Sequence, residues 1–319
     1  MNMHDTRVEL QRLVDAFLAA WISNDWSAIA PSIGSDAVLL SGQHGSATGP
    51  VEIAAALGID AGLSPMCMRT SNHYVGALDD QAVASAYVLA SRQGRAAQSL
   101  FGATVVFAFG KRDGVWLVSE VRLSVNWYRG DCREVRHWGV VPDNVGWKLG
   151  DPAPAIVSEL DSPWARLPRS ALARSSEDAV RELYSKYSFA IDQADISLLA
   201  DCFASDVKGG FAPMGKLSGR HAVIGQLKSF RRHWPWMQHF ADVPLVELDA
   251  DGRRARMIVA RIIPERQEDT VGERIYGAHY QIEAAIDPDG QWRIRWTDYR
   301  PGWFSLHNLP AFDIGNSEA

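Results

Sequence analysis

The sequence predicts an α+β fold, built twice in one chain. The first observation is an internal echo. Asp25, Ser35, Asp36, Gly49 and Leu57 recur as Asp195, Ser205, Asp206, Gly219 and Leu227, each 170 residues later. Asp113, Gly114, Trp116 and Trp127 recur as Asp289, Gly290, Trp292 and Trp303, each 176 later. An ordered set of repeats with one small change of spacing marks a duplicated domain. The second observation is order: in each half, helical periodicity comes first and strand-like runs follow, which is α+β and not an alternation of strands and helices. The third is size, since 319 residues suit about two domains.

Thr6 and Glu9 form a capping box before an apolar-periodic run, so the first helix is predicted from near Thr6 to near Asn24. A shorter helical piece, Trp26–Ile33, is interrupted at Pro31, and Ala37–Ser41 reads as a short strand. Gly49 and Pro50 open a helix to about Leu57, with Pro in its first turn. Asn72–Gly76, Ala82–Ser91, Ser99–Phe109 and Val115–Trp127 read as strands, rich in Val, Tyr and Phe and separated by turn residues. Gly130–Ala173 is punctuated by Pro142, Pro152, Pro154, Pro163 and Pro168. Trp138, Trp147 and Trp164 are poor choices for a free tether, so this stretch reads as a linker packed on the surface.

Ser175 and Asp178 supply a second capping pattern, and a long helix is predicted to about Ile191. Ile196–Phe203, a strand near Val207–Phe211 and a helix from about Arg220 to Arg231 follow. His239–Glu247, Arg254–Ile263, Ile275–Ile286 and Gln291–Tyr299 read as strands, with Pro288, Asp289 and Gly290 as the last hairpin turn. The predicted domains are therefore 1–129 and 175–319, joined by 130–174.

Composition excludes several classes of function. Hydrophobic content of 47% and charged content of 22% are ordinary for a globular protein. A net charge of −6 and a pI near 5.8 argue against nucleic acid or an anionic membrane as the main partner. Cys67, Cys132 and Cys202 form no CxxC spacing and no disulfide framework. With no basic-then-apolar leader and no apolar run of about 18 residues, the expected location is cytoplasmic. His233 and His239 lack the Cys or carboxylate neighbours that complete a zinc set, and there is no glycine-rich phosphate loop or GxSxG elbow. No metal or cofactor is expected. Twelve Trp residues point to large flat apolar surfaces, in the core or on a pocket wall.

The stretch Glu182–Val207 concentrates the functional signal. Tyr184, Tyr187 and Ile191 share one helical face, and Asp192 falls among those apolar positions, where a charge needs a partner. Such an acid is either a structural residue at the helix end or part of an active site.

Several motifs resemble the nuclear transport factor 2-like superfamily, in its SnoaL-like branch. They are the Tyr-bearing helix ending in Asp192, Leu198 through Phe203 to Asp206 and Val207, the Gly219–Arg220 pair before a helix, His239 at the start of a strand, and Gly290, Trp292 and Ile294 on the last strand. The resemblance covers nearly all of Ser175–Phe304 and, more weakly, Thr6–Arg129. It implies two cone-shaped domains, each a curved antiparallel sheet wrapped by helices around a pocket. Members of the superfamily often pair through the open sheet face, which a tandem chain would do within itself as an intramolecular pseudo-dimer. The superfamily holds dehydratases, isomerases, cyclases, epoxide hydrolases and non-catalytic subunits, so the site must decide the function.

In dehydratase-type members an Asp at the end of the first helix orients a His, and a nearby Tyr donates to the substrate oxygen. Asp192, His239 and Tyr187 stand at the matching positions. The chemistry is sound without the family: imidazole titrates near neutral pH, and a carboxylate behind it fixes its tautomer. Each residue also has an ordinary structural reading. Strand alternation puts Trp292, Ile294, Trp296, Asp298 and Arg300 on one face, making Arg300 a candidate for a substrate oxygen, or simply a partner of Asp298. Tyr184, Trp236, Phe240, Tyr276, Tyr280 and Trp303 are candidates to line or rim a pocket for a flat substrate, with core packing as the alternative. In the first copy, Ile22, Phe17 and Arg69 stand where the 170 offset places Asp192, Tyr187 and His239, with His73 nearby and Ser124 in place of Arg300. That copy is expected to be catalytically silent.

The resulting expectation is a cofactor-independent lyase of the dehydratase type, or an isomerase, acting on a small hydrophobic aromatic or polycyclic molecule. The alternatives are a polyketide cyclase, an epoxide hydrolase using Asp192, Arg300 and Asp298, or a non-catalytic ligand-binding or assembly module.

Overall fold

A computed structural model describes residues 3–62, 66–93, 98–142, 149–211, 213–233 and 237–313. The chain divides into two compact units, Met1–Ala173 and Arg174–Ala319.

In the first unit, α1 (Met3–Ser23) precedes β1 (Ile33–Ser41), β2 (Gly45–Thr48) and α2 (Gly49–Gly58). Four long strands follow: β3 (Met66–Leu78), β4 (Gln81–Gln93), β5 (Gln98–Arg112) and β6 (Val115–Arg129). They form one sheet in the order β2-β1-β6-β5-β4-β3. The short helices α3 (Ser158–Asp161) and α4 (Pro163–Arg166) come after the sheet. The predicted helix over Trp26–Ile33 is only a turn, with a short 3-10 segment at Ala30–Ser32.

The second unit repeats the plan. It contains α5 (Ser176–Asp192), α6 (Ile196–Cys202), β7 (Phe203–Gly210), β8 (Lys216–Ser218) and α7 (Arg220–His233), then β9 (Ala241–Leu248), β10 (Arg254–Arg261), β11 (Ile275–Ile286) and β12 (Trp292–Ser305). Its sheet order is β8-β7-β12-β11-β10-β9. Both sheets are antiparallel except for one parallel pair each, β1 with β6 and β7 with β12. In each unit the strand after the first helix pairs with the last strand, and this long connection is what permits a parallel pair.

The duplication extends to irregularities of register. Ile33 pairs with Val118 and Val38 with Glu120, a bulge that reappears as Phe203 with Ile294 and Lys208 with Trp296. Asn24 and Ala194, 170 apart, both have φ of 57°. Gly49 and Gly219 have φ of 78° and 87°, which explains why glycine stands at both helix starts. The registers also correct one correspondence. Arg69 pairs with Leu89 as Ala241 pairs with Arg261, so the counterpart of His239 is Cys67 and not Arg69. Two residues are gained in the connection before β9, which a fixed offset of 170 cannot see.

In the first unit the helical face is filled. Phe17 packs edge-on against Trp26 and Phe107, both at 5.3 Å, and Trp21, Phe101, Val118 and Leu123 complete a closed apolar cluster. His73 bonds Gln11 of α1 through Nδ1 at 2.9 Å. Trp138 of the Pro-rich stretch is part of the same core, while Trp164 and Leu167 pack on Tyr74 and Val83 of the opposite sheet face. Trp147 lies outside the described residues. Residues after the last strand return to the sheet in the second unit too: Gln281 donates to the Ala311 carbonyl at 2.9 Å and accepts from the Asp313 amide at 3.0 Å. Among the described residues, no helix is long and apolar enough to cross a membrane.

Candidate active site

The second unit's site starts at the end of α5. Ser175 caps this helix in a complete capping box with Asp178. The helix ends at Asp192, where Ala194 turns left-handed and Asp195 caps the next helix. Arg231 of α7 donates Nη2 to the Asp192 carbonyl at 2.7 Å and Nε to the Ile191 carbonyl at 3.2 Å. A cation on the last carbonyls of a helix both satisfies them and complements the helix dipole. The clamp fixes where the Asp192 side chain begins.

That side chain, only 1% exposed, holds His239 twice. Asp192 Oδ2 accepts from the His239 backbone amide at 2.7 Å, and Oδ1 meets His239 Nδ1 at 2.5 Å. His239 was expected within a strand but sits two residues before β9, in an irregular stretch whose amide is therefore available to a side chain. Burial pushes the His239 pKa below its ordinary value, although Asp192 pulls the other way. Tyr187, one turn before Ile191, lies edge-on to the His239 ring at 6.1 Å. Its own burial, then the nearby Tyr280, Tyr184 and Asp192, hold its phenol pKa well above the usual value.

Tyr187 and His239 face a cavity of about 480 Å³, within the range of small-ligand pockets. Tyr187, His239 and Tyr280 line it, together with Phe203, Phe211, Phe230, Met214 and Met237. The other predicted residues are placed elsewhere. Tyr184 is buried behind Tyr187 and Tyr280, at 5.8 and 6.1 Å between ring centres. Phe240 is buried at 1% and does not line the cavity. Tyr276 stacks on Phe304 and donates to Asp242 at 2.7 Å. Trp303 is 52% exposed and faces Arg266. Trp236 lies outside the described residues.

Asp298 and Arg300 are corrected for a definite reason. Ala284 pairs with Ile294 but Glu283 pairs with Trp296, so Arg295 is an extra residue, a bulge in β12. Beyond it the faces exchange. Ile294, Thr297 and Tyr299 line the cavity, whereas Asp298 and Arg300 do not. Arg300 instead donates to Asp298 at 2.9 Å and to Asp313 at 2.7 Å. The Asp–Arg–Asp set of an epoxide hydrolase is thus not brought together around the cavity.

Two cationic residues of the cavity stand outside the candidates read from the sequence. Arg231 lies on α7, and Arg261 at the end of β10. Arg261 shares strand phase with Val259 and Met257, which pair with the cavity residues Tyr280 and Ile282, but Ile258 and Ala260 on the other face are equally buried, so alternation along the strand carries no signal.

The first unit holds a different polar cluster. Asp60, fully buried, accepts from His137 Nε2 at 2.6 Å and Trp138 Nε1 at 3.1 Å on Oδ1. On Oδ2 it accepts from Trp21 Nε1 and His44 Nε2, both at 2.9 Å. Arg92, also fully buried, donates Nη1 to the Asp60 carbonyl at 2.9 Å; its Nη2 is 3.2 Å from Oδ1 but out of hydrogen-bond geometry. Burial raises the Asp60 pKa, but the hydrogen bonds of His137 and His44 and the charges of His44 and Arg92 outweigh it, and the carboxyl ends far below the usual range. The ligand atoms of His44, Asp60 and His137 lie within 4.8 Å of one another. Four N–H donors and a guanidinium already occupy the carboxylate, so the set is built as a neutralised anion and does not fit a metal.

Residues 173–298 match the family model described as a SnoaL-like domain. Among solved structures, similarity is found to a hexachlorocyclohexane dehydrochlorinase from Novosphingobium barchaimii, with 18% identity over 39% of this chain and 89% of that one and a TM-score of 0.37. It is found also to a protein from Novosphingobium aromaticivorans provisionally assigned as a scytalone dehydratase, with 16% identity, 39% and 86% coverage and a TM-score of 0.35. A third is a nuclear transport factor 2-like protein of unknown function from Pseudomonas putida, with 20% identity, 37% and 87% coverage and a TM-score of 0.32. No curated protein matches the chain.

Proposed function

We propose, from the premise that the second half of this chain is a SnoaL-like domain, that its cavity is the active site of a lyase of the dehydratase type or of an isomerase. The observation that supports this reading most is the Asp192–His239 pair, bonded at 2.5 Å, with His239 on the wall of the cavity.

His239 donates Nδ1–H to Asp192, which makes Nε2 the basic nitrogen. Because burial lowers its pKa, the ring is neutral at pH 7 and ready to take a proton from a carbon beside an electron-withdrawing group. Asp192 stabilises the imidazolium that forms. Tyr187, kept protonated by burial, donates to the oxygen on which charge develops. One such donor in a dry site is worth about 3 kcal/mol. The proton on His239 then goes to a departing hydroxyl, which gives elimination, or to a second carbon, which gives a double-bond shift. The aromatic and Met wall suits a flat apolar body. Side chains alone supply every proton movement in this sequence.

The test is a screen of hydroxylated and carbonyl-bearing aromatic and polycyclic compounds in D2O, read by NMR for deuterium incorporation and for elimination products. Exchange that falls by about 10²–10⁴-fold in His239→Gln supports the reading. Exchange that survives the substitution removes it. No exchange across the panel moves the cavity to a non-catalytic binding role.

A further inference from the structure

The cavity is apolar in shape but positive in charge. Arg231 and Arg261 line it, and none of the described lining residues is Asp or Glu. The two arginines are not equivalent. Arg231 has donors committed to the Ile191 and Asp192 carbonyls. Arg261 has one long bond, Nη2 to the Gln238 carbonyl at 3.5 Å, and lies beside the Tyr184 phenol, while its Nη1, out of reach of solvent, has no hydrogen-bond partner.

A guanidinium carries five donors and normally satisfies them when removed from water. The groups that face Arg261 are the phenols of Tyr280, Tyr184 and Tyr299 and the Asp192 carboxylate. Phenols do not neutralise a charge. Asp192 commits both carboxylate oxygens to His239. The Asp192 charge balances the guanidinium only from a distance, because its oxygens are bonded to His239, so the acceptor that the buried Nη1 lacks is left for a ligand oxygen to supply.

We propose that Arg261 anchors an anionic substrate: a flat apolar molecule bearing a carboxylate, bound with that group on Arg261 and its body along the Phe203, Phe211 and Phe230 wall. The placing of a reacting carbon at His239 rests on the proton-transfer reading above, whereas the anion anchor rests on the charge and bonding of the cavity alone. Arg261, on the strand that bears Met257 and Val259, is thereby a specificity-determining residue.

Equilibrium binding to the full chain tests the proposal, by titration calorimetry with matched acid and amide pairs: 2-naphthoate against 2-naphthamide, and cinnamate against cinnamamide. In the unaltered protein the acid of at least one pair is expected to bind about tenfold tighter than its amide. Arg261→Gln is expected to remove that preference, weakening the acid about tenfold and the amide less than about twofold. If no acid binds more tightly than its amide in the unaltered protein, the proposal fails, and this comparison needs no variant to fold. A preference retained by Arg261→Gln also overturns it. Acid-selective binding without deuterium exchange leaves the anchor standing and removes the chemistry; exchange without acid selectivity does the reverse.

Discussion

Asp192 holds both the ring and the backbone amide of His239, at 2.5 and 2.7 Å. One carboxylate therefore sets the tautomer and the position of the base together. In Asp192→Asn, only one amide oxygen remains to accept, and the amide nitrogen competes to donate to the ring. The proton is then driven to Nε2, the atom that must be basic. Deuterium exchange at pH 7 is expected to fall by about 10²–10⁴-fold, the range of a lost general base. Retention of more than about a tenth of the rate would mean that His239 does not act through this bond.

The lowered His239 pKa fixes a pH dependence. The basic form carries the reaction, so the rate rises with pH through a midpoint below 6.5, the ordinary imidazole value. Because Asp192 raises this pKa against burial, Asp192→Asn should move the residual midpoint lower still. Stability follows the same sign. The folded state resists protonation of His239 more than the unfolded chain does, so this contribution is full above pH 6.5 and is lost as pH falls through the native midpoint. A pH–rate profile and urea midpoints over the same range check both. A rate midpoint above 6.5 would contradict the burial argument.

Much of this architecture was written in local signals. The capping box of Ser175 and Asp178 forms both of its bonds. A charge on the apolar face of α5 required a partner, and Asp192 found it in His239. The bulge at Arg295 carried no such signal. No glycine or proline marks it; it arises where β12 keeps register with both β7 and β11, a long-range condition that strand alternation cannot encode. Simple alternation therefore puts Asp298 and Arg300 on the cavity face, where the bulge in fact sets Thr297 and Tyr299. The Asp60 cluster was equally unreadable, because His44, Asp60 and His137 come from three separate connections and meet only in the folded unit.

Arg300 gives the bulge a functional consequence. Its guanidinium is engaged by Asp298 and Asp313 and does not line the cavity. Arg300→Met should leave the exchange rate within about threefold and cost about 1 kcal/mol or less, since the pairs are partly exposed. Deleting Arg295 should be far more damaging. It would straighten β12 and turn Asp298 and Arg300 toward the apolar cavity in place of Thr297 and Tyr299. Comparison of the two variants by thermal melting and exchange separates the role of the guanidinium from that of the bulge. A large loss of exchange in a folded Arg300→Met would overturn this assignment.

The Asp60 cluster makes a prediction about stability and none about the second unit's chemistry. Asp60→Asn keeps the shape but removes the only charge that balances the buried Arg92 among the described neighbours. It also replaces one of the two acceptor oxygens by an amide donor, which then faces the N–H groups of one pair, His137 and Trp138 or Trp21 and His44. Breaking a buried pair from one side typically costs about 3–5 kcal/mol, and the first unit is expected to unfold at correspondingly lower urea concentration. The double variant Asp60→Asn with Arg92→Met removes the stranded charge. It should recover part of the loss, because the uncompensated guanidinium, and not the missing hydrogen bonds, dominates the cost. Urea titration of the full chain, followed by near-ultraviolet signals of Trp21 and Trp138, reads the effect in this unit. A double variant less stable than Asp60→Asn alone would show that the bonds, and not the charge, hold the cluster.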